Sequence, residues 1–280
     1  FATLDARFEE TEQDIATHMA ETAKVVNVIK YADETTTDWS TAINAAILEA
    51  NPDDNINTAK GRKVFLPDDI ILTIDSPIIA RAGMTLAGNG RASIIKKGEN
   101  FVGEALIIGT ELNNVNLENI LLDGVDKTVD GIKYTHARRY NFKNVVVHNC
   151  NNGGNIDGYI GSFDKSSQFR FNTNGLVLSA ANGVKVSSLI EQNDEVGLII
   201  NSSSTIVIDE AAVIEGNGIG GVKLNDVTNF VVDGAYFESN NAYHIKIGDT
   251  ALTKHVKINN ITTAGGMAEG DIVLDQVEHI

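Results

Sequence analysis

One cysteine, one tryptophan, three prolines and three methionines are all that 280 residues contain of these types. With Cys150 alone, no intrachain disulfide framework can form, so a core rather than covalent staples must hold the chain, as suits a protein made in a cytoplasm. Scarce proline beside 25 glycines fits a backbone with many tight turns. No apolar run approaches the roughly 20 residues that a membrane-spanning helix needs, so no membrane partner is expected. The opening FATLDARFEE lacks the basic and apolar regions of a signal peptide. Basic residues are the minority, 22 Lys and Arg against 38 Asp and Glu, for a net charge of −16. That balance argues against a nucleic-acid ligand, whose phosphates need Lys and Arg. Acidity by itself speaks for solubility, and the 42% hydrophobic content is that of a globular chain.

What the sequence does have is a repeat. Gly175 opens GLVL, Gly197 opens GLII, Gly221 opens GVKL and His244 opens HIKI, at intervals of 22, 24 and 23 residues. Asn193, Asn217 and Asn240 stand four residues before the last three openings, and Glu191, Glu215 and Glu238 stand two before the asparagines. Short apolar runs at such a period are the mark of a solenoid. Each coil pairs with the next in parallel about 4.8 Å away, and parallel crossovers in one sheet are right-handed almost without exception. The expected fold is therefore mainly β, a single-stranded right-handed parallel β-helix. A second ladder of turn residues runs through Asn119, Asn144, Ser187, Asp209, Asp233 and Asn259. Asx side chains suit such turns because they bond nearby backbone.

Three regions precede or carry the coils. Residues 1–25 place Phe1, Leu4, Phe8, Thr11, Ile15, His18, Thr22 and Val25 at alternating steps of three and four, heptad spacing that predicts a helical neck in which several copies associate. An amphipathic helix docked on its own domain would show the same seam. Residues 26–104 read as a cap: a strand-like VVNVIKY, a short helix over STAINAAILEA with Asp38 or Ser40 at its start and Ala42, Ile43, Ala45, Ala46, Ile47 and Leu48 on one side, then short strands divided by Gly and Pro. Residues 105–280 read as the coils, about eight from residue 85 onward. Since the chain begins without Met and stops inside an apolar run, a longer parent protein is expected, and the last coil's edge calls for cover.

Several clusters are candidates for chemistry. Glu191, Glu215 and Glu238 should stack on successive coils, where like charges about 5 Å apart raise at least one pKa, as a general acid requires. Two carboxylates at about 5–9.5 Å do the work of glycoside hydrolysis. The same stripe also reads as a solvated acidic edge. Asp209 and Asp233 lie in equivalent turns and join the catalytic candidates, although turn structure alone explains them. His136, Arg138 and Arg139 form the basic cluster THARRY, suited to a sulfate, phosphate or carboxylate on a polymer. Asp123, Asp126 and Asp130 form a loop where a divalent cation is conceivable, but their spacing is not the EF-hand pattern, and no metal site or cofactor is assigned. His148 and Cys150 read as coil residues, Cys150 buried.

The run DWSTAINAAILEA, then GRKVFLP, then GMTLAGNGRASIIKK resembles the entry module of pectate-lyase-like right-handed β-helices, in which the helix caps the coil's N-terminal end. Two departures mark a divergent member: ADET at 32–35 stands where that family usually has a Gly-rich turn, and LPDDIIL replaces its LPPGTY-type run. A heptad neck leading into such a coil resembles a bacteriophage tailspike, and among these the appendage proteins of small podophages infecting Bacillus. The resemblance implies a homotrimer on the virion tail, synthesised in the host cytoplasm, that binds and depolymerises a host cell-surface glycan or polyol-phosphate polymer such as wall teichoic acid, by hydrolysis. A non-enzymatic attachment module and a secreted pectate-lyase-like polysaccharide lyase or epimerase are the alternatives.

Overall fold

A computed structural model describes residues 25–52, 54, 62–248, 252–266, 269–275 and 277–278. The helical neck expected over 1–25 lies outside these residues except at Val25, which opens a strand, Val25–Asn27. The described chain is a parallel β-solenoid of about nine turns, mostly strand with a single α-helix near its start. Each turn has three faces. In the best-formed coil, strand Asn174–Val186 makes the first face, bends at 180–183 and continues as the second; Leu189–Glu191 is the third, and 192–195 returns the chain to the next coil.

The register explains why the repeat folds this way. On the first face Ile107, Ile132, Gly154, Leu176, Leu198, Val222 and Ile245 stack coil upon coil. The second face stacks Val64, Leu86, Leu117, Phe142, Phe163, Val186, Ile208 and Val232. The third stacks Leu72, Ile95, Leu122, Val147, Phe169, Ile190, Ile214 and Phe237. All of these apolar residues are buried. The three columns meet along the axis as one continuous core, because side chains alternate in and out along every strand.

Coil pairing begins earlier than residue 105. Val25–Asn27 already pairs with Lys63–Phe65, and that strand with Thr85–Ala87. These early strands are two to four residues long and widely separated, so the period that betrays the later coils is blurred here. The helix, α1 (Ser40–Ala50), buries Ala42, Ile43, Ala46, Ile47 and Ala50. Leu48, expected on the packed side, is exposed, the apolar face being narrower than the composition suggests. Asp38 accepts a hydrogen bond from the Ser40 N–H at the helix start. Asn44 ties the helix to the strand Ile78–Ile79 by donating to the Pro77 carbonyl and accepting from the Ile79 N–H.

Between the third face and the next coil runs a buried polar ladder. The Asn172 amide donates to Asn193 Oδ1 at 3.2 Å, Asn193 to Asn217 at 2.9 Å and Asn217 to Asn240 at 2.7 Å. Each amide also donates to a backbone carbonyl of an earlier coil, Asn217 to that of Ile190 for example. Buried amides are stable only when so paired. Glycine makes room for them: a Cβ on Gly197 would lie 2.8 Å from Asn217 Nδ2 and 2.8 Å from the Gly221 carbonyl. At the ladder's last rung His244 takes the glycine's place, fully buried with Nδ1 at 3.0 Å from Asn240 Nδ2.

Candidate functional site

Two residues before each ladder asparagine stands the last residue of a third-face strand, its side chain turned outward. Glu191, Glu215 and Glu238 are direct register partners on consecutive coils. The residue after each glutamate, Gln192, Gly216 or Ser239, has a left-handed backbone, turning the chain so that the asparagine points in while the glutamate stays out. The sequence expectation of a stacked glutamate column is met.

The column extends further than the repeat suggests. Continuing backward, its members are Arg170, His148, Asp123 and Lys96. Arg170 Nη1 lies 3.4 Å from Glu191 Oε1, and both side chains are largely buried. Its guanidinium offsets the charge at one end of the glutamate triplet. At the other end the Tyr236 hydroxyl donates to Glu238 Oε2 at 2.6 Å. Burial raises the Glu215 pKa, and the charges of Glu191 and Glu238 and a hydrogen bond with Glu191 add to the rise. Glu215 is thus the member disposed to carry a proton, as the stacking argument requires. Beside the column runs a second outward row, Leu189, Val213 and Tyr236.

Arg170 and Tyr236 were legible but unread. Arg170 precedes Asn172 by two, as each glutamate precedes its asparagine, and His148 precedes Cys150 by two in the same way. Cys150 begins the buried ladder, its N–H donating to Asn172 Oδ1 at 2.9 Å. Burial pushes its thiol well up, and burial lowers the pKa of His148.

Asp209 and Asp233 do not join the glutamates. They occupy the corner between the second and third faces and line an open groove of about 880 Å³ above the second face, with Lys185, Glu210 and Asn260. Burial opposes ionisation of Asp209, but hydrogen bonds from Lys185 and Ser187 outweigh it and hold the carboxyl below its usual range. Asp233 Oδ1 accepts from Asn260. Both are turn anchors, in the ladder expected for that corner, to which the structure adds Asp164, accepting from the Asn144 N–H.

His136, Arg138 and Arg139 lie at a third place, the corner between the first and second faces. His136 Nε2 is 3.6 Å from Asp157 Oδ2. Arg138 and Arg139, with Asn113, Tyr159 and Ile160, line a separate pocket of about 410 Å³. The loop aspartates are taken by separate partners: Asp126 by Lys97 and Thr128, which hold its pKa at about 2, Asp123 by Val125 and Asn149, and Asp130 by Asn151, Asn152 and Asn155. Among the described residues no group of three His, Cys, Asp or Glu is arranged to hold a metal ion. None of their helices is long and apolar enough to cross a membrane.

No family model and no curated protein matches the sequence. Solved structures do match the fold. The ORF18 protein of Geobacillus virus E2 superposes with a TM-score of 0.68 at 14% identity, over 100% of this chain and 65% of that one. The tailspike protein of Acinetobacter phage vB_ApiP_P1 gives 0.66 at 16%, over 91% and 55%. A DFA-IIIase from Arthrobacter chlorophenolicus A6, solved in complex with DFA-III, gives 0.62 at 10%, over 92% and 85%. The chain thus has a tailspike-like β-helix, and it spans about half to two thirds of the length of the phage structures.

Proposed function

We propose that this chain is the coil of a trimeric phage tailspike that binds a host-surface polysaccharide and cleaves it by hydrolysis on the glutamate column of the third face. One observation carries the reading: three outward carboxylates on consecutive coils, the middle one raised in pKa, with Arg170 at one end and Tyr236 at the other. Support for the virion tail as its location and for a carbohydrate substrate comes from the phage tailspike and DFA-IIIase structures that share the fold. A sugar ring resting on the row of Leu189, Val213 and Tyr236 brings its glycosidic bond over the glutamates.

In this reading Glu215 gives its proton to the leaving oxygen. Glu191, with its charge offset by Arg170, keeps that proton on Glu215 through their hydrogen bond. Glu238, oriented by the Tyr236 hydroxyl, attacks the anomeric carbon as the leaving oxygen departs, and a water deprotonated by Glu215 then displaces Glu238 from that carbon. Neighbouring coils lie about 4.8 Å apart, near the roughly 5–5.5 Å separation of retaining glycosidases, so the product keeps its anomeric configuration. Wall teichoic acid fits less well, because a charge on every unit meets a chain of net −16.

The test is the chain length of purified bacterial surface polysaccharides, and of wall teichoic acid, after incubation with the protein. Shortening that Glu215→Gln abolishes supports the hydrolase. Full shortening by Glu191→Gln, Glu215→Gln and Glu238→Gln alike removes the column from the mechanism, and tight binding with no shortening makes the chain an attachment module.

A further inference from the structure

The pocket at the corner between the first and second faces has a different chemistry from the glutamate column. Asn113, Arg138 and Tyr159 are register partners on three consecutive coils. The Arg138 guanidinium sits 6.0 Å from the centroid of the Tyr159 ring, an aromatic that remains partly exposed. Arg138 and Arg139 are both exposed. Among the described residues neither has an ion pair, whereas Arg170 pairs with Glu191 and Lys185 with Asp209. In a chain with 38 acidic residues, two adjacent exposed arginines without a carboxylate partner have their forks available to an outside anion. Asp157, the acidic side chain two residues before Tyr159, faces His136 instead.

One further feature of the pocket is costly unless something fills it. Asn113 is nearly buried, and its Oδ1 has no hydrogen-bond partner; such an acceptor calls for a donor. Ile160, in the wall of the pocket, is 60% exposed; its left-handed backbone, φ 54°, is the conformation that His136, Arg139 and Ala180 also adopt where the chain bends at this corner. An aromatic ring, a neutral amide and two guanidinium forks within about 410 Å³ match a sugar ring carrying one negative group: the ring stacks on tyrosine, hydroxyls meet the amide, and the anion takes the arginine forks.

We propose that Asn113, Arg138, Arg139 and Tyr159 form a subsite for an anionic glycosyl unit, one bearing a carboxylate or a phosphate at its exocyclic carbon. It rests on the glycan-binding reading above and narrows the substrate to polymers with isolated rather than continuous negative charge. Because the pocket and the glutamate column lie on different parts of each coil, the subsite holds the polymer and does not cleave it.

Three ligands on one scaffold test this: glucose, glucuronate and glucose 6-phosphate, with acetate and inorganic phosphate as bare anions, titrated into the full chain by ligand-observed NMR. Glucuronate or glucose 6-phosphate should bind about tenfold more tightly than glucose, the scale of one charge-assisted hydrogen-bond pair; whichever binds more tightly identifies the anionic group. Arg138→Gln with Arg139→Gln should erase the difference, and Tyr159→Ala should weaken every sugar while leaving acetate unaffected. Arg91→Gln, an arginine that bonds Gln168 elsewhere on the coil, controls for loss of one positive charge, against Arg138→Gln alone, and should change nothing. Equal binding of glucose and both anionic sugars overturns the proposal, as does bare phosphate binding as tightly as glucose 6-phosphate. Polymer shortening that persists without any anionic preference removes the subsite and leaves the hydrolase standing. An anionic preference without shortening removes the hydrolase and leaves the subsite.

Discussion

Glu215→Gln should make the protein more stable at neutral pH while removing its activity. Glu215 has a carboxylate neighbour one coil away on either side. At the coil spacing of about 4.8 Å, each repulsion is roughly 0.9 kcal/mol at the dielectric of water and roughly 3.5 kcal/mol at an effective dielectric of 20. Outward, half-buried side chains splay and are screened, so a net gain of about 1–2 kcal/mol is expected on removing the central charge. For a chain of this length that is about 2–4 °C in thermal midpoint. The sign with pH follows from the raised pKa. A carboxyl whose folded pKa lies above its unfolded value favours folding fully below the unfolded pKa and loses that contribution as pH rises through the folded one. The gain from Glu215→Gln should therefore appear near pH 7.5 and vanish at about pH 3, where Glu215 is itself protonated in both states. Scanning calorimetry of both proteins at the two pH values measures it. A lower midpoint for Glu215→Gln near pH 7.5, or an equal shift at both pH values, refutes the repulsion argument.

Three other substitutions probe the frame that presents the column. Asn217→Ala strips partners from Asn193, Asn240 and the Ile190 carbonyl at once and should cost about 2–4 kcal/mol, read from thermal melting. Gly197→Ala forces a Cβ against Asn217 Nδ2 and the Gly221 carbonyl and should cost about 1–3 kcal/mol in the same assay. Tyr140→Phe should be neutral or stabilising by about 1 kcal/mol, because the Tyr140 hydroxyl is buried without a partner; a loss above that in calorimetry would reveal a bond to the hydroxyl.

The repeat was legible because three constraints recur on the later coils: an apolar inward residue per face, a buried asparagine, and a glycine that makes room for it. Where all three coincide, from Gly175 to Ile245, the spacing alone gives the register of the glutamates. Where one is replaced, the period hides. Cys150 stands in the asparagine's place and Arg170 in the glutamate's, so the Arg170–Glu191 contact went unread although its spacing is the same. The aspartates show the opposite limit. Asp209 and Asp233 repeat as regularly as the glutamates, and their period put them in a turn ladder of their own without saying whether that turn faces the column. A period fixes which residues stack, whereas the face is set by the bends at 180–183 and 187–188, which carry little sequence signal. The pocket of Asn113, Arg138 and Tyr159 joins three coils by register, and only its arginines stood out as a cluster.

The central claim is that burial and the two flanking carboxylates raise the pKa of the middle glutamate of the column. Titrating the side-chain carboxyl carbons by ¹³C NMR reads this directly, with Glu215 assigned by comparison with Glu215→Gln. The column, as a coupled group, should show an apparent pKa above the ordinary glutamate value of about 4.3, and Glu191→Gln with Glu238→Gln should bring the Glu215 value down. A Glu215 carboxyl that titrates at or below the ordinary value, and does not move when both neighbours are neutralised, would contradict the account.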